Sequence, residues 1–232
     1  MGIKKIYVVA CLHGDEPFGL KVLAHLRQVG DERIIRQVGH PEALAKRKEF
    51  LEANLNRSFD PDAPPSKEAR IAKHILRDIK THQPDLILDI HTAECAVGKS
   101  AIICQINRQC LDIVKRLGMD YVFENVPSIS RQNLVGQNPD KSIILEFGRG
   151  WRSDQLALSM AHKIADLLKD KPVPKKKLKV YSKTRCIENK EAAGLKLENY
   201  VFNKQLGGYP YLVGNNTYTE YVGFLAQKET LL

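Results

Sequence analysis

The chain has 232 residues, 27% of them charged and 43% hydrophobic, enough for one α/β domain of ordinary size with a sizeable core and a small appendage. Thirty-six lysines and arginines against 27 acids leave a net charge of +9, which favours anionic partners, whether small carboxylates or nucleic acid. No segment approaches the ~20 apolar residues of a membrane span, and Met1 to Lys5 runs straight into the first strand pattern without a signal-peptide core, so the expectation is a cytoplasmic protein with no membrane role.

Ile6 to Ala10 reads as the first strand and Phe18 to Gln28 as the first helix, with Gly30 as its stop. Between them, Cys11 to Pro17 is a strand-to-helix loop in which His13 and Glu16 sit three apart. An imidazole nitrogen and a carboxylate oxygen on one tight turn can converge on a single ion, and this mixed pair suits Zn²⁺ in an open catalytic site that also needs a third protein ligand. A solvated loop is the alternative for so short a pattern. Arg33 to Val38 is a candidate second strand, after which His40-Pro41 opens a helical stretch through Phe50 and Leu51.

Asn54 to Asp60, followed by the proline cluster Pro61 to Pro65, is an irregular loop. Asn56 and Arg57 are its candidates for holding a ligand carboxylate, because a guanidinium offers two parallel donors and a neighbouring amide adds another. An arginine that only ties down its own loop is the alternative. Ser66 to Lys80 has helical spacing, with Ala69, Ala72, Ile75, Leu76 and Ile79 on one face. Leu86 to Thr92 is the near-continuous apolar run of a strand buried on both faces. His91 stands at its C-terminal end, on the rim where open α/β sheets bind ligands, and period two puts Asp89 on the same side. A core histidine satisfied by a backbone carbonyl would be the plainer reading for a lone His, but His13 and Glu16 point to the same edge.

Ser100 to Gln105 is a short strand, Arg108 to Leu117 a helix ended by Gly118, and Tyr121 to Phe123 a further strand. Ser128 to Asp140 is a polar loop suited to closing over a site, with Arg131 as a second candidate for binding an anionic substrate. Ser142 to Gly148 repeats the buried-strand pattern, and Glu146 within it is costly unless it has a partner or a task. Beside a zinc-bound water the task would be general base; the alternative is an ion pair with Arg149 or Arg152. Leu156 to Leu168 is an amphipathic helix. These patterns divide the chain into a catalytic α/β domain over 1–170, a basic linker over 171–178, and a small β module over 179–232 with β-like runs at Lys179 to Tyr181, Tyr200 to Phe202, Tyr209 to Val213 and Tyr221 to Leu225. The lysines around the linker have no interleaved aromatics, so a solvated connector is favoured over a nucleic-acid platform. Five cysteines, odd in number and scattered, argue for reduced packing residues, with a sulfur ligand left open at Cys11 or Cys95.

With His13-x-x-Glu16, Asn56-Arg57, His91 and Glu146 in that order, the chain resembles the succinylglutamate desuccinylase and aspartoacylase family, which is related to the zinc carboxypeptidases. The matching stretches are His13 to Glu16, Asn54 to Phe59, Asp89 to Ala93 and Leu145 to Gly148. The resemblance implies an α/β fold with a mixed sheet flanked by helices, and one Zn²⁺ per chain held by His13, Glu16 and His91. It further implies that Asn56 and Arg57 bind the substrate carboxylate, that Glu146 activates the metal-bound water, and that the reaction is amide hydrolysis. The chain departs from the family at Glu49, where many members carry an arginine that helps stabilise the oxyanion and for which Arg47 is a substitute candidate. It departs again at Asn54, where Asp is usual. In the acylases the C-terminal module supplies a tyrosine to the pocket, for which Tyr218 and Tyr221 are the candidates here.

The first expectation is therefore a zinc deacylase acting on a small anionic N-acyl amino acid, with the net charge and Arg131 fitting more than one substrate carboxylate. A zinc carboxypeptidase acting on peptide C-termini, and a non-catalytic basic binding protein, are the alternatives. Assembly into a homo-oligomer is left open.

Overall fold

The computed structural model describes residues 2–126, 130–182, 184–214 and 220–232. Eight strands form one mixed sheet: β1 (Ile6–Ala10), β2 (Ile34–Val38), β3 (Leu86–Thr92), β4 (Lys99–Ile103), β5 (Tyr121–Glu124), β6 (Ser142–Phe147), β7 (Lys179–Ser182) and, at the far end of the chain, Lys228–Leu231 (β11). Their order is β11-β7-β5-β4-β6-β3-β1-β2. The block β2, β1, β3, β6 is parallel, β4 runs antiparallel to β6, and β5 and β7 continue parallel to β4. The C-terminal ends of β1, β3 and β6 therefore open onto one rim.

The pleat sorts the side chains of these strands. Ile6, Val8 and Ala10 of β1, Leu86, Leu88 and Ile90 of β3, and Ile143, Leu145 and Phe147 of β6 join one core with the apolar residues of α1 (Phe18–Val29), α4 (Arg108–Leu117) and α6 (Asp154–Asp166). Tyr7, Val9 and Ile87 face the other way, against Ala72, Ile75 and Ile79 of α3 (Lys67–His82). Asp89 and His91 on β3 and Glu146 on β6 belong to this second face by the same alternation.

Most expected elements form near their predicted bounds, and the exceptions have local causes. The helix expected to run from Pro41 through Leu51 stops at Lys46 (α2, Pro41–Lys46), because Arg47 turns left-handed at φ 52°. The polar loop after Ser128 contains a short helix, α5 (Leu134–Gln137), capped by Asn133, whose side chain accepts from the Gly136 amide. Residues 128 and 129 of that loop lie outside the described residues.

The segment read as a small β module divides between two sheets. Its first and last strands, β7 and β11, extend the large sheet. Three others form a small antiparallel sheet, β8 (Arg185–Glu188), β10 (Tyr221–Ala226) and β9 (Tyr209–Tyr211), with a short helix α7 (Asn189–Ala192) after β8. Tyr200 to Phe202 is not a strand: Tyr200 is left-handed at φ 70°, and its ring stacks on Tyr121 with centroids 3.9 Å apart. Aromatic stacking also binds the small sheet to the large one, with Phe123 of β5 between Tyr211 at 3.7 Å and Tyr181 at 4.6 Å. The basic linker is exposed through most of its length but ends in the buried Leu178, which exchanges backbone hydrogen bonds with Leu232. No helix among the described residues is long and apolar enough to cross a membrane.

One buried hydrogen-bond cluster holds the irregular segment 47–54 in place. Glu68 of α3 and His40 are both fully buried, with His40 Nε2 3.1 Å from Glu68 Oε1. The same oxygen accepts from the amides of Leu51 (2.9 Å) and Glu52 (3.1 Å). Burial pushes the Glu68 carboxyl up, but these two amides and His40 outweigh it and hold it at about 2. A carboxyl depressed below its unfolded value contributes stability above that value and loses it as pH falls through the folded one, here from roughly pH 4 to about 2. Glu68→Ala should cost about 3 kcal/mol, because it strands two amides and an imidazole in the interior; urea denaturation at neutral pH measures this, and the deficit relative to the parent should shrink as pH approaches about 2.

Candidate metal and substrate site

The rim site begins where β1 ends. Cys11 turns the chain with φ 59°, and the loop that follows lies against α2 and the segment after it. Gly14 has no room for a side chain, since a Cβ there would sit 2.1 Å from the carbonyl carbon of Ala43, and its amide donates to the Glu49 carbonyl at 3.2 Å. This close approach presents His13 and Glu16 to the rim.

Glu16 is the centre of the cluster. Its Oε1 lies 2.6 Å from His13 Nδ1, and its Oε2 lies 3.2 Å from His91 Nδ1 and accepts from the Thr92 amide at 2.7 Å. Burial opposes its ionisation, but the two imidazoles together hold the carboxyl well below the ordinary carboxylate range. The histidines respond in kind: burial works against their protonated forms, yet Glu16 raises His13, and Asp89 with Glu16 raises His91 well above the usual value. Asp89, fully buried, stands with Oδ2 3.0 Å from His91 Nε2, as the strand alternation requires. His13 Nε2 lies 3.2 Å from Asn54 Oδ1, and Asn54 Nδ2 donates to Glu49 Oε1 at 3.0 Å.

Each histidine thus has one ring nitrogen against an outer acceptor and its Nδ1 turned to Glu16. The arrangement fits a divalent cation. The donor atoms of His13, Glu16 and His91 lie within 4.8 Å of one another, and Asp89 and Asn54 are placed to fix the tautomers that leave Nδ1 free to bind. A His₂Glu donor set is that of an open catalytic zinc site.

Glu146 completes the rim, directly beside His91 in the β3–β6 register. Burial, with the Glu16 charge, pushes its carboxyl up to about 8. The alternative partners Arg149 and Arg152 pair with Glu94 instead, at 3.7 and 2.7 Å.

These residues line a cavity of about 110 Å³ together with Asn56, Arg57 and Glu49. Asn56 is buried, and its Oδ1 has no hydrogen-bond partner. Arg57 donates through Nη1 to the Asn56 carbonyl at 2.8 Å, and its guanidinium is in hydrogen-bond contact with the Tyr221 hydroxyl. Tyr218 lies outside the described residues. Arg131 does not join the wall: it is largely exposed, with Nε 3.1 Å from Asp60 and Nη2 2.7 Å from Asp62. Cys11 and Cys95 are buried thiols that burial pushes up to about 11, and neither belongs to the ligand cluster. Sequence reasoning missed Asn125 and the apolar wall of Ile102, Ile144, Leu212 and Phe224. They come from β4, β6, β10 and the residues just after β5 and β9, and nothing in a one-dimensional pattern brings those segments together.

The fold is that of the carboxypeptidase-like α/β proteins. Among solved structures, the chain superimposes on succinylglutamate desuccinylase from Vibrio parahaemolyticus with a TM-score of 0.74, at 15% identity over 96% of this chain and 80% of that one. Murine aminoacylase 3 gives 0.72 at 19% identity, covering 100% and 97%. A metallo-carboxypeptidase from Burkholderia cenocepacia gives 0.58 at 15% identity, covering 72% and 57%. Residues 2–170 match the model of the succinylglutamate desuccinylase/aspartoacylase catalytic domain, so the chain belongs to that family. No curated protein matches it in a sequence search.

Gly14→Ala should destabilise the fold by about 1–3 kcal/mol through overpacking, visible as a lower Tm; an unchanged Tm would show that the loop does not depend on this contact.

Proposed function

We propose that this protein is a zinc-dependent amidohydrolase that removes the acyl group from an N-acyl amino acid. The observation that carries the reading is the convergence of two imidazole Nδ1 atoms on the Glu16 carboxylate, with Glu146 on the adjoining strand. His13, Glu16 and His91 would hold one Zn²⁺ per chain, which would supply Lewis-acid polarisation of the acyl carbonyl and a water of pKa lowered toward ~7. Arg57 receives the substrate carboxylate through parallel N–H donors, steadied by Tyr221, and the unpartnered Asn56 Oδ1 is available to a substrate N–H. Glu146 takes a proton from the attacking water and returns it to the amide nitrogen as the C–N bond breaks, leaving a carboxylate and a free amino acid. A carboxyl whose proton affinity is raised suits a group that must accept and release a proton near neutral pH.

The catalytic part is residues 1–170, a reading supported by the family match over 2–170, with Leu212 and Phe224 of the C-terminal segment narrowing the cavity. Five free thiols support a reducing, cytoplasmic location.

His91→Ala should lose zinc and turnover together, whereas Glu146→Ala should keep its zinc and lose about 10²–10⁴-fold in turnover. Metal analysis beside mass-spectrometric detection of amino acid released from a panel of N-acyl amino acids, with a chelated control, checks both. A Glu146→Ala protein of parental rate removes Glu146 from the reaction. For Arg57→Ala, the expectation is a raised KM with a smaller change in kcat; an unchanged KM would take Arg57 out of the binding site.

A further inference from the structure

We propose that Glu49 makes this site selective for substrates with one carboxylate and a protonated amine, so that the class it takes is the N-acyl derivatives of basic amino acids. This rests on the amidohydrolase reading and concerns which substrate that site accepts.

The charges on the cavity wall are unequal. Arg57 supplies one guanidinium, enough for one substrate carboxylate. The other arginine offered for that task, Arg131, is held outside by Asp60 and Asp62. A second substrate carboxylate therefore meets no free guanidinium among the described wall residues, and it meets like charge instead. Apart from the proposed ligand Glu16, which the two imidazoles clasp, and the proposed base Glu146, the wall carries Asp15 and Glu49, and no lysine or arginine among the described residues lies within ion-pair distance of either of those two. Glu94, also on the wall, differs in being paired with Arg152.

Glu49 is built into place. Its backbone carbonyl accepts from Gly14, its Oε1 accepts from Asn54, and Glu68 anchors the chain immediately beyond it through the Leu51 and Glu52 amides. Glu49 and Asp15 thus set negative charge on the same cavity wall that carries Arg57. An amino acid with an α-carboxylate for Arg57 and an ammonium for these acids is complementary to a wall of both signs, and the second carboxylate of a dicarboxylate is repelled by them. The apolar stretch of Ile102, Ile144, Leu212 and Phe224 can cover the methylene stem of a basic side chain while its head stays polar.

The test uses three ligands that end in an ammonium, a neutral amide and a carboxylate: Nα-acetyl-lysine, Nα-acetyl-glutamine and Nα-acetyl-glutamate, the last two matched in length. Each is titrated calorimetrically into zinc-loaded Glu146→Ala protein and assayed for turnover with the parent. The expected order of affinity and of kcat/KM is lysine, then glutamine, then glutamate, spread over roughly tenfold or more and narrowing as salt rises. Glu49→Gln keeps the acceptor for Asn54 and should collapse the spread; Asp15→Asn is the second variant should Glu49→Gln fold poorly. A preference for the glutamate derivative, or the same spread after both substitutions, overturns the inference. Ranked binding without turnover by the parent keeps it and overturns the amidohydrolase reading, turnover without ranking does the reverse, and absence of binding by all three overturns both.

Discussion

The carboxylate of Glu16, clasped between two imidazoles, is the interaction on which the rim is built. A buried carboxylate is costly on its own, so its place is secured only while His13, His91 and the Thr92 amide all reach it. That requirement fixes the β1–α1 loop against the end of β3. Because β3 and β6 are locked in register, it also fixes Glu146 beside the same cluster. Four groups that the chain keeps more than 130 residues apart, from His13 to Glu146, are thereby tied to one sheet edge.

The cost of this polarity is confined by the pleat. Alternate residues of β1, β3 and β6 form a wholly apolar layer against α1, α4 and α6, while Asp89, His91 and Glu146 are placed on the opposite face near the rim. Both oxygens of Asp89 lack a hydrogen bond of good geometry even though one lies 3.0 Å from His91 Nε2. Strands β3 and β6 together hold two acids and a base, Asp89, Glu146 and His91, closer together than a structural core would need, and such local tension is expected where a site is prepared for a ligand rather than for stability. Glu68 and His40 perform the complementary task below the rim, where a fully satisfied buried oxygen pins the backbone that carries Glu49 and Asn54.

The C-terminal segment shows how chain order and spatial order part company. Its outer strands complete the large sheet, and its inner strands fold over the rim on a stack of aromatic rings that includes Phe123, Tyr181, Tyr200 and Tyr211. Period-two apolar runs announce strands but carry no information about which neighbour a strand will choose. The same limit explains Tyr200, a strand-forming residue by type that instead takes a left-handed turn so that its ring can join the stack.

Sequence alone determined the alternating pattern of the buried strands, their polar ends His91 and Glu146, and the tight turn bearing His13 and Glu16. Each of these is a local consequence of side-chain period and turn chemistry. Only the tertiary structure decided that Arg131 is held away from the cavity by Asp60 and Asp62, that Tyr221 reaches Arg57, and that Glu49 and the apolar residues of four distant segments share its wall. The reason is physical: a charge or a ring is drawn to whichever partner the folded chain brings within a few ångströms, and that choice depends on strand order and register, which no local pattern encodes.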